Sequence, residues 1–186
     1  MKALFLNLIV ASLAFASCNS GENNKQTKDT VSSSENTQIS TQGGSVQGIL
    51  DSYLKLKNAL TEDNAADAAS AGNEVAKAFD QFDNASLNES QAKEYAEIHE
   101  DAKEHAEHIA ANAGNLKHQR EHFESLSQDV YDLVKSVGGA RKLYLDYCPM
   151  YNNNKGANWI SETKEIKNPY LGKEMPECGT VKEELN

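Results

Sequence analysis

Not one proline falls between Val46 and Val137; all three in the chain come after Cys148. A stretch that long without a helix breaker, rich in Ala, Glu, Lys and Leu and poor in β-branched residues, commits this part of the chain to helix. Apolar spacing divides it into four amphipathic segments. In the first, Val46, Ile49, Leu50, Tyr53, Leu54, Lys57 and Leu60 follow a 3-4 rhythm, and all but Lys57 make an apolar stripe. Thr61 reads as the N-cap of a second helix with Glu62 and Asp63 in its first turn. Val75, Phe79 and Phe82 form the bulky face of that helix, and its alanines allow close approach of a neighbour.

A third helix starts at Asn88 or Ser90, runs through Tyr95, Ile98 and Ile109, and meets the stop "NAGN", where Gly114 fits the C′ position. The fourth opens after Asn115, lines up Leu116, Phe123, Leu126, Val130, Leu133, Val134 and Val137, and ends at Gly138-Gly139. Short connections between four such helices predict an antiparallel four-helix bundle over 46–138, an all-α fold. After Arg141 the helical period disappears. Residues 139–186 read as a small loop-rich module, with short strands at most, that must lean on the bundle to be stable. Trp159, Tyr147 and Tyr170 supply the apolar area for docking, and Asn168-Pro169 favours an extended turn entry.

The N-terminus opens "MKALFLNLIVASLAFASC". One lysine precedes an apolar run too short for a bilayer span, which needs roughly 20 residues, so 1–17 reads as a cleaved export signal. Small residues directly before Cys18 resemble a bacterial lipobox. Lipidation of Cys18 would give stable membrane attachment through several acyl chains. Asn19 follows in place of the aspartate that favours inner-membrane retention, which points to an outer-membrane anchor facing the periplasm. Residues 18–45, mostly Ser, Asn, Thr, Gln and Gly, cannot bury enough surface to offset ordering entropy and read as a disordered tether. The net charge of −10 gives no electrostatic reason to hold nucleic acid.

Candidate chemistry collects in two places. Sulfur comes in two groups, Cys148 with Met150 and Met175 with Cys178. Thiolate plus thioether selects Cu(I) or a similar soft ion among the available metals, so these four residues form a candidate metal site. The same two cysteines, in an exported protein with Cys18 lipidated, would equally form a disulfide. Closing a loop of about 30 residues, it would contribute roughly 3–4 kcal/mol. A disulfide has no use for the methionines, although either can simply pack.

All five histidines lie between His99 and His122, with His105/His108 spaced i,i+3 and His118/His122 spaced i,i+4. Either spacing puts two imidazoles on one helix face. As surface residues of a polar helix they need no further role; as an auxiliary zinc or copper site, His118 and His122 would be ligands. There is no HExxH pattern, no phosphate-binding glycine loop and no Ser/His/Asp order, so no catalytic residue is assigned and the chain does not read as an enzyme.

The run "YCPM…NNKGANWIS…KEIKNPYLGKEM" and the helix "HQREHFESLSQDVYDLVK" resemble a domain of unknown function common in Bacteroidetes, over roughly 46–181. That domain occurs in lipoproteins and fused to periplasmic adaptor subunits of copper/silver efflux pumps. The resemblance implies metal handling, with Cys148, Met150, Met175 and Cys178 at the matching positions and a heavy-metal efflux complex as a partner. Pro176-Glu177 replaces an apolar residue common in the family. The reading is then a lipid-anchored envelope protein that binds a soft metal for sequestration or delivery; the alternative is a non-metal interaction module stapled by Cys148–Cys178.

Overall fold

The computed structural model describes residues 45–185. The expected export signal over 1–17, the cysteine expected to be lipidated, Cys18, and all but the last residue of the expected tether over 18–45 lie outside the described residues. Four long helices follow in order: α1 (Val46–Thr61), α2 (Ala65–Asp80), α3 (Glu89–Ala111) and α4 (Leu116–Val137). Each packs on the next, and together they form a helical bundle. The apolar rhythm produces the core as expected: Ile49, Leu50, Tyr53, Val75, Phe79, Phe123, Leu126 and Val130 are fully or almost fully buried. Where α2 meets α3 the backbones come very close. A Cβ added to Gly72 would sit 2.8 Å from the carbonyl oxygen of Ala106, so only glycine fits there.

Asn88 caps α3 with a full capping box, its side chain accepting from the Gln91 N–H while Gln91 returns the bond. Asn115 caps α4 through the His118 N–H. Two boundary expectations need correction. Thr61 does not cap α2; it ends α1, with its hydroxyl donating to the Lys57 carbonyl. The cap is Asn64, which accepts from the Asp67 N–H, because Asp63 takes a left-handed conformation (φ 54°) that stops α1 first. Gly114 is likewise not the left-handed stop after α3, which ends two residues earlier at its C-cap, Asn112. Gly138, at φ 83°, does close α4.

The C-terminal part corrects the all-α expectation. It carries a three-stranded antiparallel sheet in the order β2-β1-β3, with β1 (Leu143–Cys148) between β2 (Ala157–Ser161) and β3 (Thr180–Leu185). Tyr144, Tyr147, Trp159, Ile160, Thr180 and Val181 favour strand in these segments, while a turn of left-handed asparagines, Asn152 to Asn154, followed by Gly156 reverses the chain between β1 and β2. These strands are only five or six residues long, and three such strands need an apolar partner for stability.

The bundle provides one. Trp159 is completely buried; Tyr170 lies between it and Phe123, with centroids 6.0 and 5.6 Å away. The hydroxyl of Tyr53 accepts the Ile160 N–H at 3.1 Å and pairs with Ser127 Oγ at 2.8 Å, and Tyr170 donates to the Asn158 carbonyl. Truncating a residue such as Trp159 to alanine would cost about 3–5 kcal/mol. Tyr147, expected to dock on the bundle, instead turns outward: its ring lies over Gly156 and its hydroxyl donates to the Lys155 carbonyl.

Candidate metal centres

Cys148 ends β1 and is fully buried, and Cys178 sits just before β3 and is half-buried. The sheet register brings them together, since Tyr147 pairs with Thr180 on one side while Cys148 pairs with Ala157 on the other. Their Sγ atoms lie 2.9 Å apart, as free thiols. Both methionines attach to the same edge through the backbone. The Cys178 N–H donates to the Met175 carbonyl at 3.2 Å, and the Met150 backbone N–H bonds the Cys178 sulfur. Their side chains are 50% and 37% exposed, the large apolar residues that remain at the surface among the described residues. All four sequence-predicted residues therefore gather at one end of the sheet, where β1 stops and β3 begins.

Burial, and after it the hydrogen bond with Cys148, pushes the Cys178 thiol up to about 11, so it carries its proton at neutral pH. A metal arriving there must displace that proton. The donor types fit a soft cation. The spacing requires opening: two thiolates on one tetrahedral zinc ion are about 3.8 Å apart, given bonds of about 2.3 Å, and a linear soft ion needs more.

Asn168 positions this edge, although in the sequence it marks only a turn entry before Pro169. Fully buried, it accepts the N–H groups of Tyr170 and Leu171 and donates to the Cys178 carbonyl at 2.6 Å. An asparagine directly ahead of a Pro-Tyr pair was the visible signal.

His118 and His122 lie beside each other on α4, ring centroids 4.6 Å apart. They meet two further imidazoles, His105 and His108 of α3, beyond the expected ligand pair. Their i,i+3 spacing was legible; that the α3–α4 turn folds them onto the α4 pair was not.

The helix that carried the family resemblance turns out to be structural at its Gln-Arg pair. Gln119 is fully buried and donates to the carbonyls of Ala65 and Ile109, tying the start of α2 to the end of α3. Arg120 reaches the carbonyls of Leu60 and Pro169 and the Asp63 carboxylate, joining three separate segments. Burial tends to raise Asp63, but the hydrogen bonds from Arg120 and the Lys173 N–H, with their charges, hold it below the usual range.

A helical bundle with a docked three-stranded sheet, a thiol pair at one end of that sheet and a histidine cluster on one helical hairpin define the class of this protein. Residues 49–142 match a protein family of unknown function, DUF3347, and the chain belongs to that family. The match covers the helices and stops just before β1, so the Cys148–Cys178 edge lies beyond it. No curated protein and no solved structure matches the chain.

Proposed function

We propose that this chain is an envelope lipoprotein, anchored through Cys18, that binds a soft monovalent ion of the Cu(I) or Ag(I) type and holds it or passes it to a heavy-metal efflux complex. It acts as a binding protein, without a catalytic step. The observation that carries the reading is the convergence of Cys148 and Cys178 with two exposed methionines whose backbones both contact Cys178. Methionines left exposed to water, with backbones that contact Cys178, are weak partners for an apolar core and good ones for a soft cation.

When bound, the ion would supply only soft Lewis acidity. Cys178, the more accessible thiol, would release its proton first, and Cys148 would complete the pair from the protein side. Met150 and Met175 would face the solvent, where a partner's cysteine or methionine can take their place. Asn168, clamping the Cys178 carbonyl, would keep the second thiol in position.

One observation favours the alternative reading, a module stapled by a Cys148–Cys178 disulfide: the sulfur separation of 2.9 Å is shorter than a metal-bridged pair. Reduced protein should take one Cu(I) from a competing chelator. The double variant Cys148→Ser/Cys178→Ser should lose it, and Met150→Leu/Met175→Leu should weaken it. Unchanged affinity in the serine variant overturns the metal reading. Protein isolated from the envelope without reductant that is uniformly lighter by two hydrogens supports the staple.

A further inference from the structure

Four of the five histidines gather where α3 turns into α4. His122 is at the centre. Its Nδ1 is 3.1 Å from Nδ1 of His105; its ring stacks on His108 at 4.4 Å with 7° between planes; and it stands nearly perpendicular to His118 at 4.6 Å. One ring nitrogen from each of His108, His118 and His122 can be chosen so that all lie within 4.8 Å of one another. Carboxylates flank the group: Glu104 Oε1 is 3.6 Å from His108 Nε2, and Glu121 Oε2 is 3.4 Å from His118 Nδ1.

Packing does not account for this arrangement. His108 is exposed and His118 and His122 half-buried, outside the apolar core that holds α3 against α4 through Ile109 and Phe123. An imidazole nitrogen is a common metal ligand, and three such rings meet here.

We propose that His108, His118 and His122 bind a divalent borderline cation of the Zn²⁺ or Cu²⁺ type, with His105 as a positioning residue. If the His122 Nδ1–H donates to His105, its Nε2 is left bare and oriented toward the ion, the outer-sphere arrangement usual for metal-bound histidine. Three imidazoles leave the fourth tetrahedral position to water or to a flanking glutamate. Ligand nitrogens on tetrahedral zinc lie about 3.3 Å apart, so the rings draw in from their present spacing by side-chain rotation on fixed helices. The ion would cross-link the α3–α4 hairpin. It shares no ligand with the sulfur edge, so one chain would carry a borderline-metal site on its helices and a soft-metal site on its sheet.

The test titrates Zn²⁺ into the full chain carrying Cys148→Ser and Cys178→Ser, which removes the sulfur edge. One equivalent should bind and raise the thermal midpoint, with ring ¹⁵N shifts of His108, His118 and His122 moving to metal-bound values. His118→Asn and His122→Asn should each weaken binding by about 100-fold or more, and His105→Phe by about tenfold with a changed His122 ring ¹⁵N shift. His99→Asn, on α3 but outside the cluster, should change nothing. Far-UV circular dichroism checks that each variant is folded, and the partly exposed His118 keeps the test open if His122→Asn is not. Absence of a saturable single-zinc site, or undiminished binding by folded His118→Asn, overturns the proposal.

Discussion

Asp146 is the middle-strand residue whose removal should stabilise the protein. It is fully buried, neither carboxylate oxygen has a hydrogen-bond partner among the described residues, and the Trp159 opposite it in the register has an Nε1 that is likewise unpartnered among them. Lys57, the lysine within the apolar stripe of α1, is buried nearby, and its charge pulls the carboxyl down. Burial acts more strongly and pushes Asp146 up from 3.8 to about 7. A displacement that large means the ionised carboxylate costs the fold roughly 4 kcal/mol at most. The folded chain binds this proton more tightly than the unfolded chain. The penalty is therefore absent below about pH 4, grows as pH rises, and levels off above pH 7. Asp146→Asn keeps the shape and removes the titration. Its stability advantage over the wild type should climb from about 1–2 kcal/mol near pH 5 to about 4 kcal/mol near pH 8. Urea unfolding followed by Trp159 fluorescence measures both proteins at each pH. Asp129, also raised to about 7 by burial, gives the wild-type curve the same slope but cancels in the difference. A difference that stays constant from pH 5 to pH 8 refutes the reasoning.

Arg120→Ala should cost about 2–4 kcal/mol, because it strands the carbonyls of Leu60 and Pro169 and the Asp63 carboxylate together. Arg120→Lys should recover little of that in chemical denaturation, since an ammonium cannot reproduce the guanidinium fork. Asn168→Ala should destabilise by about 2–3 kcal/mol and release the Cys178 carbonyl; alkylation of the reduced protein should then label Cys178 faster than in the wild type, and an unchanged labelling rate would deny Asn168 its positioning role.

The helices were legible because their information is local. Proline-free composition, a 3-4 apolar rhythm and the asparagine caps at Asn88 and Asn115 act within one or two turns, so the chain order alone specifies them. Boundaries failed where two local signals competed, as when the left-handed Asp63 handed the cap from Thr61 to Asn64. The strands were harder to read because β1 alternates poorly, with nearly every residue buried; its outer face is covered by neighbours that sequence spacing does not reveal.

The candidate sites divide in the same way. Cysteine count and soft-ligand chemistry singled out Cys148, Met150, Met175 and Cys178, and i,i+4 spacing singled out His118 and His122. Which of these meet is decided by pairing across long separations. The β1–β3 register brings Cys148 to Cys178. The α3–α4 turn brings His105 and His108 onto His122, and the docking of the sheet on the bundle buries Asp146 near Lys57. Local sequence by itself determined the helical body, its caps and the kinds of donor atoms present. Only tertiary structure decided which donors converge and which charges are buried, because contact and desolvation depend on partners many residues away in the chain.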